Sequence, residues 1–263
     1  MNELLRDLPP EAVVLDLGCG AGSFDSAAIQ FTVVRLDLEP SSARVSNFVQ
    51  ADAARLPFPG GCFDVVISNH SLEHVENLSG TLEEIGRVLK PTGLLYVAVP
   101  DATTITDRLY RWLAHGGGHV NPFSSAHELI VKIEHATGKK HAATRTLCSS
   151  LSFLNRRSHP LPRRMLLVGG GTETSLRFWN YLFRLLDRFF GTRFSIYGWA
   201  LYFGNIKSTI ERDTWTNVCI FCGAGHPSVW LLHWKLVSQR FIPTYHCPSC
   251  GTPNLFTDDR HYH

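Results

Sequence analysis

The 263 residues suffice for one large domain and a smaller second one, and a hydrophobic share of 44% is enough to bury a sizeable core. A formal charge of +2 is too small to signal a polyanionic partner by itself, so nucleic acid is not expected. No apolar run reaches membrane-spanning length and the first residues lack the basic-then-apolar pattern of a secretory leader. A cytoplasmic location is therefore expected. In such a reducing compartment the seven cysteines, four of them in two C-x-x-C pairs, favour a metal site over disulfides.

In chain order, Val13-Val14-Leu15-Asp16-Leu17 is an apolar run of strand length that carries a carboxylate near its end and enters the turn Gly18-Cys19-Gly20-Ala21-Gly22. Residues 31–37 read as a second strand, again closed by an acid, Asp37. In open α/β sheets, ligands bind outside the carboxyl ends of the strands, where glycine lets the backbone approach closely and an acid can hold a ribose. The spacing G-x-G-x-G is not the dinucleotide G-x-G-x-x-G, and alone it is a weak signal. Downstream lie Asp52-Ala53, Leu56-Pro57-Phe58, a strand at 63–68, and Asn69-His70-Ser71-Leu72-Glu73-His74-Val75. Next come a helix over 81–89, opened by the capping box Thr81-x-x-Glu84, and a strand at 93–99. Short β-branched strands alternating with helical or loop stretches predict a mostly parallel sheet with crossover connections. A further helix runs from Ser124 or Ser125 to Thr137 with Gly138 as its stop, and 144–153 and 195–203 read as extended.

Gly116-Gly117-Gly118 loosen the chain ahead of His119; a loop histidine is either a base near neutral pH or simply solvated. Asn155-Arg156-Arg157 and Arg163-Arg164 bracket two prolines, and Gly169-Gly170-Gly171 leads into a helix. Over 177–190, Arg177, Asn180, Arg184, Asp187 and Arg188 recur near helical spacing and the rest is aromatic or leucine, which predicts a helix with a broad apolar face. One reading packs that face on the sheet as extra core. The other makes it a lid over a greasy acceptor or a membrane-surface contact. His70-x-x-Glu73-His74 matches an inverted zinc-protease signature, but that chemistry needs a long helix and a downstream ligand, whereas this motif follows a strand directly.

Cys219-x-x-Cys222-Gly223 and Cys247-x-x-Cys250-Gly251 each place two thiols on a knuckle whose glycine permits the tight backbone. Together they offer four soft ligands to tetrahedral zinc and leave no open coordination position, so the metal is expected to be structural. A thioredoxin-like redox pair is the alternative. Stretches 229–237 and 241–245 are expected to form the hairpin of a zinc-ribbon-like module.

The ordered series of motifs over roughly residues 10–150 resembles the class I S-adenosylmethionine (SAM)-dependent methyltransferases, especially the branch acting on small molecules and lipids. The resemblance implies an α/β Rossmann-like, mostly parallel seven-stranded sheet, with 144–153 and 195–203 as the sixth and seventh strands and one of them antiparallel. About eight residues separate Gly22 from the second strand, and 40–47 is equally short, too little for the usual crossover helices. Shortened helices on one side, and an adenosine pocket that is open or closed by a neighbouring subunit in an oligomer, follow. By resemblance Asp16 lies near the methionine end of SAM, Gly18, Gly20 and Gly22 allow close approach, and Asp37 takes both ribose hydroxyls with Leu38 beside it. Asp52 bonds the adenine amine with Ala53 beside it. Asn69 and His70 sit near the sulfonium, His70 and His119 are the candidate catalytic groups, and Glu73 and His74 are structural. The expected organisation is a methyltransferase domain over 1–208, with a helical insertion over about 154–194, and a zinc-ribbon-like module over 209–263. The expected function is methyl transfer by direct displacement to a small-molecule or lipid-linked acceptor. The alternatives are an RNA or protein methyltransferase docking through the ribbon, and a non-catalytic binding module that keeps the SAM fold.

Overall fold

The computed structural model describes residues 1–20, 22–24, 29–40, 46–113, 118–148, 172–206, 210, 213–238 and 243–261. It divides into two compact units: Met1–Pro100, His119–Thr144 and Ala200–Glu211 form the first, and Asp101–Gly118, Arg145–Trp199 and Arg212–His263 form the second. The short crossovers after Gly22 and after Pro40, and the arginine- and glycine-rich stretch 149–171, lie wholly or partly outside the described residues.

The first unit is built on β1 (Val13–Leu17), β2 (Thr32–Asp37), β3 (Phe48–Gln50), β4 (Phe63–Asn69) and β5 (Leu89–Pro100). Their order is β3-β2-β1-β4-β5, and every neighbouring pair is parallel. Val14, Leu15, Val65, Val66, Ile67, Leu95 and Val97 are fully buried. Central strands covered on both faces must be apolar on both, which is why these runs read as continuous rather than alternating.

The helix Leu78–Val88 starts earlier than the capping-box reading places it. Asn77 is its N-cap, accepting the Gly80 amide at 3.0 Å, and Thr81 is buried inside the helix. Glu84 faces away from any cap: it accepts the Leu56 amide at 2.7 Å and pairs with Arg87 Nε at 2.6 Å. The helix Ala126–Thr137 is as expected, with Ser125 accepting the Glu128 amide and Gly138 closing it at φ +68°. The two helices pack together at Gly86, where an added Cβ would stand 2.8 Å from Thr137 Cα and 2.9 Å from the Ala136 carbonyl oxygen. Gly86→Ala should therefore lower the melting temperature. Overpacking against backbone costs about 1–3 kcal/mol and exceeds the roughly 1 kcal/mol that alanine adds to a helix. A raised melting temperature would show that the two helices can part freely.

Strands β6 (His141–Cys148) and β7 (Ile196–Phe203) each have residues in both units. The extended stretch anticipated at 144–153 thus begins at His141, and its part beyond Cys148 lies outside the described residues. In the second unit β6 pairs parallel with β8 (Trp215–Val218), in register Thr146↔Trp215, and β8 pairs antiparallel with β9 (Gly225–Pro227). Among the described residues the large sheet therefore has nine strands in place of the seven expected. The surplus pair is the hairpin around the first cysteine knuckle, which joins the sheet because β6 presents it an open edge. A separate antiparallel sheet comprises β10 (Val237–Ser238), β11 (Thr244–His246) and β12 (Pro253–Leu255). The hairpin expected from 229–237 and 241–245 is correspondingly shorter. Ser228–His233 is helical and buries Leu231 against Tyr245 and Phe256, while Val237 pairs with Tyr245.

The aromatic stretch forms the helix Glu173–Phe190, capped by Thr172 and closed by Gly191 at φ +63°; it lies against β12. Its faces are mixed in polarity. Asn180, Arg184 and Asp187 are buried while Phe178, Tyr181, Phe189 and Phe190 are exposed, Phe190 at 74%. Buried Asp187 accepts the Phe194 amide at 2.6 Å, the Ser195 amide at 2.9 Å and the Thr192 hydroxyl at 2.7 Å, so the polar face anchors the turn that follows. Among the described residues no helix is long and apolar enough to cross a membrane.

Candidate functional site

Parallel register brings the strand ends of the first unit together. Leu17 pairs with Leu36 and with Ser68, Asp37 with Gln50, and Asn69 with Ala98. Asp16, Asp37, Asn69 and the loop after β3 therefore share one carboxyl edge. β1 lies between β2 and β4, where the strand order reverses, and ligands of open α/β sheets bind at such a switch point.

The Asp37 carboxylate ties this edge together. One oxygen accepts the Gly20 amide at 2.8 Å and the other accepts the Glu39 amide at 3.0 Å, which leaves each oxygen with further accepting capacity. Its own carbonyl accepts the Ala51 amide at 3.1 Å, setting Asp52 and Ala53 alongside. Asp52 is exposed and accepts the Ala54 amide at 2.9 Å. Leu38 beside Asp37 is 64% exposed, an apolar side chain with one face open.

Asp16 is buried, and both its oxygens are held by Ser23, through the hydroxyl at 2.6 Å and the amide at 3.0 Å. Burial raises its pKa, against the lowering effect of the Ser23 bonds and of Arg35. The neighbouring Cys19 thiol is pushed up to about 12, by burial first and then by the Asp16 and Asp37 charges. A neutral thiol is a poor nucleophile, so Cys19 packs and does not react. The Asp16 and Asp37 charges make this end of β1 negative, hence suited to a cation.

Gly18, Gly20 and Gly22 all have left-handed φ, at +65°, +51° and +109°. For Gly18 there is a second reason. A Cβ there would lie 2.3 Å from Ser71 Cβ, because the Ser71 hydroxyl reaches across to the Leu17 carbonyl at 2.9 Å and to Ser68 Oγ at 2.6 Å. Sequence reasoning did not single out Ser71, Ser23 or Arg35; no local pattern marks a residue whose role is to fill the space beside a distant glycine. Gly18→Ala should cost about 2–4 kcal/mol in urea unfolding, combining a left-handed alanine with overpacking. The double change with Ser71→Gly should recover the steric part. No recovery would mean that backbone strain alone explains the glycine.

His70 also has left-handed φ, +55°, and its Nδ1 lies 3.5 Å from Glu73 Oε1. Glu73 is buried in the 3-10 turn Leu72–His74. His119 comes to this turn because the Val120 and Asn121 amides donate to the Glu73 carbonyl at 2.8 and 3.0 Å, and Asn121 Nδ2 donates to the Leu72 and Val75 carbonyls at 3.0 and 2.6 Å. The His119 and His74 rings meet edge to face at 4.9 Å.

In the second unit, Cys219, Cys222, Cys247 and Cys250 bring their sulfurs within 4.8 Å of one another. Cys219 and Cys250 are 3.6 Å apart, and Cys222 and Cys247 are 3.7 Å apart. A zinc–sulfur bond of about 2.3 Å in a tetrahedron demands a sulfur–sulfur edge of about 3.8 Å, so the donor set fits. Gly223 and Gly251 have φ +73° and +75° and donate to the Cys219 and Cys247 carbonyls at 3.1 and 2.8 Å. Around the sulfurs stand outer groups of the kind that tune thiolate ligands. The Phe221 amide and Asn254 Nδ2 donate to Cys219 Sγ, and His226 Nε2 is 3.3 Å from Cys247 Sγ. Burial pushes the His226 pKa down, against the raising effect of the Cys219 charge.

Residues 15–97 match a family model described as a methyltransferase domain. The 2-methyl-6-phytyl-1,4-hydroquinone methyltransferase of Synechocystis sp. is 34% identical over 107 residues, covering 36% of this chain and 34% of that protein. The mitochondrial arginine-hydroxylase NDUFAF5 of Rattus norvegicus is 30% identical over 144 residues, covering 48% of this chain and 41% of that protein. The chain thus spans less than half the length of either relative. A SAM-dependent methyltransferase from Archaeoglobus fulgidus superposes with a TM-score of 0.55 at 17% identity, over 78% of this chain and 90% of that one, a likeness of fold. Residues 15–97 therefore resemble a methyltransferase domain, and the chain shares the fold of a SAM-dependent methyltransferase.

Proposed function

We propose that the chain binds SAM along the carboxyl edge of β1 to β4 and transfers its methyl group to a small-molecule or lipid-type acceptor. The observation that carries this is the Asp37 carboxylate, fixed between the Gly20 and Glu39 amides with accepting capacity to spare. Asp37 would take the ribose hydroxyls, as charge-assisted bonds favour. Exposed Leu38 would flank the adenine, and Asp52 with Ala53 would meet its amine edge. Gly18, Gly20 and Gly22 keep side chains out of the way, and ionised Asp16 would hold the cationic amino group. When bound, SAM supplies a methyl group on a sulfonium, open to in-line displacement. Asn69 and His70, at the end of β4, would orient the acceptor, and His70 or His119 would take a proton where the acceptor must lose one. The apolar acceptor class is supported by the Synechocystis relative, which is named for methylating a phytyl hydroquinone. A protein acceptor is the second reading, motivated by the relative named for acting on arginine. Cys219, Cys222, Cys247 and Cys250 would hold structural zinc.

Labelled SAM offered to lipid, small-metabolite, protein and RNA fractions tests the reading. Label in the lipid or metabolite fraction supports it, label in protein or RNA selects a macromolecular acceptor, and SAM binding with no transfer leaves a binding module. A pH dependence follows as well. With its folded pKa raised by burial, Asp16 contributes stability below its unfolded pKa that is lost as pH rises through the folded one. A bound cation offsets that loss. The thermal stabilisation produced by SAM should therefore grow as pH rises through this range, and Asp16→Asn should flatten the trend. A pH-independent stabilisation would place the amino group elsewhere.

A further inference from the structure

We infer that Glu73, His74 and His119 form a binding site for a divalent transition-metal ion, separate from the cysteine cluster, with His70 positioning the carboxylate. Each of the three offers one ligand atom, and these atoms all lie within 4.8 Å of one another. The set is two imidazoles and one carboxylate.

The decisive feature is Glu73. It is 1% exposed, and among the described residues its Oε2 has no hydrogen-bond partner. Its other oxygen lies 3.5 Å from His70 Nδ1. Burying a carboxylate costs several kcal/mol unless a counter-charge and hydrogen bonds compensate it. A purely structural turn would orient this side chain to water or use both oxygens in caps, as Asp187 does. Here the carboxylate belongs to a group that also contains two imidazoles, and a cation would supply the counter-charge that its burial calls for.

The site is also braced. Four hydrogen bonds, two from backbone amides and two from the Asn121 side chain, clamp the loop carrying His119 onto the turn carrying Glu73 and His74. Loop closure explains those bonds; it does not explain why the clamp brings a second imidazole edge-on to the first beside an unpaired buried oxygen. The inverted-protease arrangement is ruled out by geometry. It needs both histidines of His70-x-x-Glu73-His74 on one helical face, but His70 has left-handed φ and only Leu72–His74 is helical. His119, distant in sequence, takes the ligand place instead.

The donor set defines the ion. Two imidazoles with one carboxylate suit zinc, iron(II), cobalt or manganese, whereas magnesium and calcium prefer all-oxygen shells and copper(I) prefers sulfur. Three protein ligands, one of them the exposed His74, leave coordination positions open to a further oxygen or nitrogen donor, unlike the closed four-cysteine set. As a ligand His119 no longer serves as the proton acceptor considered above, so this inference does not rest on that role and survives if the proposed acceptor is wrong.

The test titrates cobalt(II) into the full chain after its cysteine cluster has been filled with zinc, following heat by calorimetry and the visible spectrum. A cobalt ion should bind with weak d–d bands and without thiolate charge-transfer absorption, and raise the melting temperature. His74→Ala, His119→Ala and Glu73→Gln should each weaken binding at least tenfold, and His70→Ala by about 10–100-fold, the usual effect of an outer-shell partner. Should Glu73→Gln fail to fold, His74→Ala, at an exposed position, decides the matter alone. No cobalt binding beyond the cysteine cluster, or binding unchanged in His74→Ala and His119→Ala, overturns the inference.

Discussion

Removing zinc from the full chain is expected to unfold the knuckle module and to fray the edge of the large sheet with it. The local core is small, essentially Leu231, Tyr245 and Phe256 with partial cover from Trp230, Leu232 and Val237, and modules of that size rarely hold without a staple. Apparent binding energies of about 10–16 kcal/mol for zinc in finger peptides exceed what so few apolar side chains supply. Without metal, thiolates at 3.6 and 3.7 Å must protonate or separate. Because β8 is hydrogen-bonded to β6 and β8 and β9 flank the first knuckle, the loss should extend to amide-exchange protection over residues 215–227. Elemental analysis of protein purified without added metal should return one zinc per chain, and Cys222→Ser or Cys250→Ser, at exposed positions, should reproduce the loss. A metal-free chain with the same protection would show that the four cysteines are not a zinc site.

Replacing Asp37 by alanine should weaken SAM binding by roughly 1.5–3 kcal/mol, the range for hydrogen bonds to charged groups, which is about ten- to 150-fold in Kd. Part of this loss is direct, through the ribose hydroxyls. Part comes from the Gly20 and Glu39 amides, which lose their acceptor in the free protein and no longer hold the glycine turn in place. Asp37→Asn separates the two. Its amide keeps the side-chain shape but presents one accepting oxygen, so it should fall between wild type and alanine. Calorimetry with an unchanged affinity for both variants would show that the ribose lies elsewhere.

Much of the candidate edge was legible in the chain itself. Asp16, the alternating glycines and Asp37 lie at strand ends whose apolar runs declare themselves. The helix Ala126–Thr137 was bounded by a serine and a glycine that act within four residues of each end. The cysteine knuckles were legible for the same reason, since C-x-x-C-G specifies its own turn. Where two local signals competed, the tertiary environment chose. Thr81-x-x-Glu84 has the form of a capping box, yet Asn77 starts the helix because Thr81 is needed in the core and Glu84 is drawn to Leu56 and Arg87.

Features that depend on distant partners were hidden. Nothing near Gly18 indicates that Ser71 will occupy the space of its side chain, and nothing near Glu73 indicates that His119 will be clamped against His74. The aromatic helix shows the difference most sharply. Spacing alone established that 177–190 is helical and that its faces differ, because side-chain period is a property of the backbone. Only packing decided that Asn180, Arg184 and Asp187 turn inward and Phe178, Phe189 and Phe190 outward; for Asp187 the reason is the Thr192 hydroxyl and the Phe194 and Ser195 amides that it satisfies in the following turn. The strand count follows the same logic. The sequence by itself determined the runs of β1, β2, β4, β5, β6 and β7 and the two knuckles, whereas the short strands β3, β8, β9 and β12 and the pairing of β8 with β6, and hence a nine-stranded sheet, were decided by edges of unpaired amides and carbonyls that exist only once the chain has folded.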